Sequence, residues 1–282
     1  MTPPTTAPTG EALLGVALEV ARAAVEVVRE HASRGVGVGV AATKSSEVDV
    51  VTEADRASEA LIRSLLRERR PDDAVLGEEG EDRAGTSGVR WVVDPIDGTV
   101  NFLYGIPQYA VSVAAEVTSA DGDDGAEVVA GVVVNAATGV EYAAHVGADG
   151  RATATRDGVP ISVAGPTPLG QRLVATGFSY DSDLRALQAH ALVRFLPRVR
   201  DVRRLGSCAL DLCHVAEGLV DGYVEEGVHL WDHAAGGLVA RAAGARTRLM
   251  TGVGGRDLLV AAPAHGFDEL LEAVLDAGFA AG

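Results

Sequence analysis

Cysteine is scarce: Cys208 and Cys213 are the only two in 282 residues. Two thiols make no disulfide framework, and no paired Cys/His spacing points to zinc. Five positions apart on an expected helix, they face different directions and are expected to stay reduced. Lysine is scarcer still. Lys44 is the single lysine among 24 basic side chains, which face 40 acidic ones. The resulting charge of −16 argues against nucleic acid as the main partner, because phosphate backbones are bound by clustered cations. No apolar run approaches the roughly 18–20 residues of a membrane span, so no membrane partner is expected. Met1 to Thr9 is rich in Thr and Pro and has no basic stretch. It reads as a disordered tail, not a signal peptide, and cytoplasmic residence is expected.

What the chain has is enough apolar residue, 47%, for one large domain or two packed ones. Glu11 to about His31 predicts a helix, with Leu13, Ala17, Val20, Ala24 and Val28 at steps of three and four. Thr52 with Asp55 resembles a capping box for a second helix that ends before Pro71. Strands are expected over 75–77, 109–117, 128–134, 139–146 and 151–155, the last four as an antiparallel meander. From about Ile161 strands at 173–176, 202–205, 220–224 and 258–261 alternate with helices at 184–196, 206–217, 232–243 and 267–277. That alternation predicts a layered α/β second half. The Gly/Pro cluster at 158–168 places a boundary between subdomains 10–158 and 159–282.

The most informative stretch is Trp91 to Pro107, WVVDPIDGTVNFLYGIP. Val92 and Val93 form a short strand. Pro95 has no N–H for a ladder, so the strand is expected to stop there. Asp97, Gly98 and Thr99 make a tight turn, in which Gly98 permits positive φ or close approach of a ligand. Asp94 and Asp97 can converge on one point, and a hard divalent cation with oxygen ligands supplies the countercharge. Asp72 to Asp97 holds eight acids and only two bases, Arg83 and Arg90. The IDGTV segment also looks like the nucleophile loop of haloacid-dehalogenase-type phosphatases. There the first Asp attacks phosphorus, and here that place is Pro95, which has no nucleophile.

Acids also close two other segments: Glu78 after Val75-Leu76-Gly77, and Asp232 in Leu230-Trp231-Asp232-His233. With these in place the chain resembles the inositol monophosphatase family. The matching pieces are VDVVTEAD (48–55), GEE (77–79), DPIDGTVNF (94–102), RRLGSCALDLCHVAEG (203–218) and VEEGVHLWDHAAG (224–236). They span Lys44 to Gly244, and their order makes a strong signal. Lys44 matches a lysine on the family's mobile loop. The resemblance implies an α/β (α+β) fold, the layered α-β-α-β-α sandwich shared with fructose-1,6-bisphosphatase. It also implies a Mg²⁺-dependent, lithium-sensitive phosphomonoesterase, a homodimer acting on a small-molecule phosphate monoester. Two to three Mg²⁺ ions are implied. Glu78, Asp94 and the Ile96 carbonyl would hold the first, and Asp94, Asp97 and Asp232 the second. Gly98 and Thr99 would meet the phosphate through backbone N–H groups. Thr99 and Glu78 would orient a water, with Asp49 accepting a hydrogen bond from Thr99. Asp49 and Thr52 have an equally good reading as helix caps.

The substrate follows from weaker matches. Glu225 matches the family's inositol-hydroxyl contact, and Gly206-Ser207-Cys208 its ring-binding loop. Asp97 and Asp232 would border the substrate as well. Val100 stands where relatives acting on histidinol phosphate or 3′-phosphoadenosine 5′-phosphate carry Lys, which favours myo-inositol monophosphate. The alternatives are a histidinol-phosphate or fructose-bisphosphate phosphatase, and a non-catalytic interaction protein. The last is disfavoured because every metal position is filled.

Overall fold

The structure is a computed structural model that describes residues 9–34, 40–43, 50–118 and 125–280. The predicted apolar stripe of the first helix is the buried face of α1 (Gly10–Ser33). A short antiparallel pair, β1 (Val40–Thr43) and β2 (Val50–Thr52), precedes α2 (Glu53–Arg69). The capping box is present: Thr52 Oγ1 accepts from the Asp55 N–H, and the Asp55 carboxylate accepts from the Thr52 N–H at 2.8 Å.

Seven strands follow in spatial order: β3 (Ala74–Gly77), β4 (Val89–Asp97), β5 (Ala110–Thr118), β6 (Ala126–Asn135), β7 (Glu141–Val146), β8 (Ala152–Arg156) and β9 (Val159–Pro160). β3 and β4 are parallel, and the rest form the expected meander. A second sheet has the order β11 (Asp201–Arg203), β10 (Leu173–Thr176), β12 (Gly222–Glu226), β14 (Asp257–Pro263), β13 (Ala245–Thr251). β10 is parallel to both β11 and β12, while β14 is antiparallel to β12 and β13.

Period-two alternation sorts the strand residues into layers. Val93, Val113 and Val132 pack against α1 and α2. Val92, Ala114 and Val133 face the opposite way, into the core shared with α5 (Cys208–Ala216) and α6 (Leu230–Ala242). The same two helices meet Tyr223, Leu259 and Ala261 of the second sheet. That sheet's other face, with Val174, Val224 and Val260, packs on α4 (Ser182–Phe195) and α7 (Phe267–Ala277). The result is the α-β-α-β-α sandwich that the resemblance implied. Among the described residues no helix is long and apolar enough to cross a membrane.

Two expectations are corrected. β4 does not stop at Pro95 but runs to Asp97, with its register against β5 shifting between Asp94 and Asp97. An irregular register leaves no ladder position that needs an N–H from Pro95, so proline is tolerated there. β13 was not anticipated. Its sequence ARTRLMT is largely exposed and carries no apolar run.

The middle helices pack closely. A Cβ at Gly236 of α6 would lie 2.8 Å from Ala209 O and 3.1 Å from Leu212 Cβ of α5. Gly236→Ala is therefore expected to force the helices apart and to lower stability by about 1–3 kcal/mol, the usual cost of overpacking. Urea unfolding of the two proteins measures it, and an unchanged midpoint would show that the helices have slack.

Candidate active site

Parallel register brings the first two acids together. Gly77 of β3 pairs with Val93 of β4, so Glu78, just past the end of β3, and Asp94, within β4, lie side by side at the same level. Asp94 Oδ1 accepts the Ile96 N–H at 3.0 Å, which pins that carboxylate. On the other side of β4, Asp94 is paired with Ser112 of β5, and the Ser112 hydroxyl donates to Trp231 O at 3.4 Å. Trp231 precedes Asp232, so this contact brings the start of α6 to the same strand ends. Asp232 Oδ2 accepts the His229 N–H at 2.6 Å, closing the first turn of α6.

Asp97 is tied to the second half of the chain. Its Oδ2 accepts from Ser207 Oγ at 2.5 Å and from the Ala209 N–H at 2.7 Å. Gly98 follows with φ 96°, and a Cβ there would lie 2.8 Å from Gln108 O. Only glycine fits this bend. It starts α3 (Thr99–Tyr104), from which the Asn101 amide donates to Gln108 O at 2.7 Å and to Leu205 O at 2.8 Å. Two neighbouring contacts, through Asp97 and Asn101, thus fasten the 205–209 segment to the DPIDGTVNF turn.

Glu78, Asp94, Ile96, Asp97, Gly98, Thr99, Gly206, Cys208, Glu225 and Asp232 line one cavity of about 340 Å³. Asp94 and Asp97 are buried, and burial is the first reason their pKa values rise. Asp94 is pushed well up, next by Glu78, Asp97 and Asp232, and it shares a hydrogen bond with Glu78. Asp232 is pushed well up by burial, then by Asp97 and Glu78. Asp97 is pushed up to about 7, with the Ser207 and Ala209 donors opposing the rise. Among the described residues no three acids, imidazoles or thiols already converge in ion-holding geometry. The donor set nonetheless suits a hard divalent cation, because it is all oxygen and its charges repel one another. Glu78, Asp94, Asp97, Asp232 and the Ile96 carbonyl could hold such ions.

The opposite wall comes from the second sheet. Glu225 Oε2 accepts the Tyr223 hydroxyl at 2.7 Å. Its pKa is raised, first by burial, with the Tyr223 hydrogen bond and the Arg204 charge opposing. A Cβ at Gly177, just past β10, would lie 1.8 Å from Glu225 Oε2, so glycine there makes room for the carboxylate.

The inositol monophosphatase family model matches residues 10–276. The chain belongs to that family. It is 46% identical over 247 residues to the inositol-1-monophosphatase SuhB of Mycobacterium tuberculosis, covering 85% of this chain and 83% of the relative. It is 35% identical over 234 residues to a protein of Pasteurella multocida named Nus factor SuhB, covering 82% and 83%. The solved structure of Mycobacterium tuberculosis SuhB superposes with a TM-score of 0.79 at 40% identity, over 96% of this chain and 98% of that one. Relatives that carry the inositol-1-monophosphatase name are phosphatases, and the chain is an enzyme of that kind.

Against that family background the site residues sort cleanly. Asp49 and Lys44 lie outside the described residues. Among the described residues, the carboxylate within reach of the Thr99 hydroxyl is Asp55, with Oδ1 at 3.1 Å. The sequence showed Asp55 only as the partner of Thr52, because a bond to a residue three positions away is visible in a motif and one 44 positions away is not. Ser207 was expected at the substrate. It is buried instead, capping α5 and donating to Asp97. Also lining the cavity, and missed, are Arg204, Arg256, the 178–180 segment, His229 and Trp231. The last two rings stack with centroids 4.8 Å apart.

The acid cluster sets a pH dependence. Asp97 titrates near 7 when folded and near 3.8 as a free side chain, and Asp94 and Asp232 shift the same way. Between those values the folded, cation-free chain keeps protons that the unfolded chain has lost, so stability falls as pH rises from about 4 through 7. In EDTA the Tm is expected to drop between pH 5.5 and pH 8, and a divalent cation is expected to raise it more at pH 8. Thermal shifts at both pH values read this. An equal cation effect at both would mean that the acids are not linked to the ion.

Proposed function

We propose that this protein hydrolyses myo-inositol monophosphate to inositol and phosphate with bound Mg²⁺. One observation carries the reading: mutually repelling carboxylates share one cavity with the Thr99 hydroxyl, and Glu225, held by Tyr223, lines the same cavity from the second sheet. Glu78, Asp94, Asp97, Asp232 and the Ile96 carbonyl would hold the Mg²⁺. When bound, such ions lower the pKa of a water and offset charge on phosphoryl oxygens.

The chain's own part is to hold and orient. The Thr99 hydroxyl is within reach of two acceptors, Asp55 Oδ1 at 3.1 Å and the Ile96 carbonyl at 3.0 Å; donating to Asp55, it keeps an oxygen lone pair for another partner. A water that donates to that lone pair is held with its own oxygen free to attack phosphorus. The new O–P bond forms as the P–O bond to the inositol oxygen breaks; the attacking water gives up one proton to solvent, and the departing alkoxide takes one from solvent to leave as inositol. Asp55 keeps its position because Thr52 N–H and hydroxyl both bind its other oxygen. Glu225, with Oε2 taken by Tyr223, has Oε1 for ring hydroxyls of the leaving group. Likeness to the family extends the proposal to lithium inhibition and a homodimer.

The test is phosphate release from inositol 1-phosphate with Mg²⁺ and with EDTA. Release is expected only with the ion, and ion-independent release would overturn the reading. Thr99→Ala and Asp55→Asn are each expected to lower kcat by about 10²-fold while Mg²⁺ still raises the Tm, the size typical of a lost proton-directing group. If KM moved alone, the pair would be a binding device. Glu225→Gln is expected to lower kcat/KM for inositol 1-phosphate by roughly 1–3 kcal/mol, as for a charged hydrogen bond, and much less for 2-glycerophosphate. Equal losses on both substrates would place Glu225's effect in the fold.

A further inference from the structure

Two consecutive glutamates end β12, and strand alternation sends them to opposite faces. Glu225 faces the cavity. Glu226 is buried, with 2% of its surface exposed. Its Oε1 accepts the Gly254 N–H at 2.7 Å and the Arg256 N–H at 3.2 Å, both from the turn between β13 and β14. A Cβ at Gly252 would lie 2.1 Å from Glu226 Cδ, so the turn is folded tightly onto the carboxylate. Its Oε2 is buried with no hydrogen-bond partner. Such a group is costly to bury, and here its charge is spent on fixing one short turn.

The turn carries Arg256 to the cavity. Arg256 Cδ is the nearest atom to where a Cβ of Gly227 would stand, at 3.9 Å, so the stem runs along the 227 backbone. The guanidinium lines the cavity, half-exposed, with Nη2 3.6 Å from Asp181 Oδ2. That separation is loose for an ion pair, and exposed pairs of this kind are weak. On the same wall as Glu225, Arg204 Nη1 would lie 2.3 Å from a Cβ at Gly206. The cavity lining therefore combines the clustered carboxylates with two arginines, Arg204 and the half-exposed Arg256. A polyol monophosphate delivers its charge to the ions those carboxylates would hold and offers Arg256 no anion.

We infer that Arg256, positioned by Glu226, sets substrate preference by receiving a second anionic group, phosphoryl or carboxylate, on the leaving-group side of the substrate. The inference rests on the phosphatase reading and adds a substrate class to it. A guanidinium suits the task because its planar fork pairs bidentately with either anion. Asp181 competes for the guanidinium, so the preference is graded and not absolute.

The experiment compares three substrates in the full-length protein with Mg²⁺: inositol 1-phosphate, fructose 1,6-bisphosphate and 6-phosphogluconate. The second and third carry an additional phosphoryl group or a carboxylate. In Arg256→Ala, kcat/KM for these two is expected to fall roughly tenfold relative to inositol 1-phosphate, through KM, as one charged contact predicts. Arg256→Lys is expected to recover part of the loss. Asp181→Asn removes the competing charge but can still cap α4, where Asp181 accepts the Asp183 N–H. It is expected to shift the ratio the other way, about threefold, the size of a weak exposed ion pair. A fall in the bisphosphate alone would narrow the class to phosphoryl groups. Equal effects on all three substrates, or none, would overturn the inference. Calorimetric binding of the same compounds to wild type and Arg256→Ala separates the two readings. Arg256-dependent binding without turnover would sink the phosphatase reading and leave the inference standing. Normal turnover with binding that ignores Arg256 would do the reverse.

Discussion

Like charges crowded into a place of low dielectric are the constraint on which the rest of this structure depends. Asp94, Asp97 and Asp232 are each pushed towards protonation by burial and then by neighbouring acids. Nothing in the hydrophobic core requires that arrangement, and it works against folding at neutral pH. It persists because each carboxylate is gripped by a donor of its own chain segment or of the neighbouring one. The Ile96 N–H holds Asp94, Ser207 and Ala209 hold Asp97, and the His229 N–H holds Asp232. These donors fix each carboxylate at one oxygen: Oδ1 of Asp94, Oδ2 of Asp97 and Oδ2 of Asp232. That grip keeps repulsion tolerable.

The grip also decides how the halves of the chain meet. The first sheet supplies strand ends, and the second half supplies the starts of α5 and α6. Asp97 sits on both sides of this junction: it is a candidate ion ligand, and it accepts bonds from the beginning of α5. The wall at Gly206 and Cys208 is therefore mechanically continuous with the acidic floor. Ser207 is buried because its hydroxyl is occupied in that junction, donating to Asp97 and capping α5. Close approach of α5 and α6 at Gly236 is the packing counterpart of the same junction.

Much of this was legible because it is local. Strands ending in acids, the Asp-Gly-Thr turn and an aspartate in the first turn of α6 are all read from residues a few positions apart. Alternation of strands and helices pointed to a layered α/β second half in the same way, while the five layers came with the family resemblance. What was not legible depended on distance or on exposure. The Thr99–Asp55 bond joins residues 44 positions apart, and nothing in the VDVVTEAD segment announces that Asp55 meets Thr99. β13 alternates arginines and threonines with few apolar residues, so it reads as a loop. Without β13 there is no hairpin, and without the hairpin neither the burial of Glu226 nor the place of Arg256 can be foreseen. Pro95 misled for a different reason: it does break the regular ladder, but the chain absorbs the break as a register shift and continues.

The two ends of the cavity then differ in kind as well as in charge. The floor is built on strand ends and helix starts, with donors from the backbone, and tolerates little movement. Its geometry has to be stiff, because a displacement there changes the balance among all the acids at once. The mouth is built from side chains on a turn and on an exposed segment: Arg256 is half-exposed and loosely paired, and Arg204 is exposed. Side chains of that sort can change without disturbing the floor. Chemistry that resides in the floor and selectivity that resides in the mouth can therefore vary separately. The acid motifs can stay fixed while the side chains around them vary, and Arg256 is where a difference in selectivity would be written.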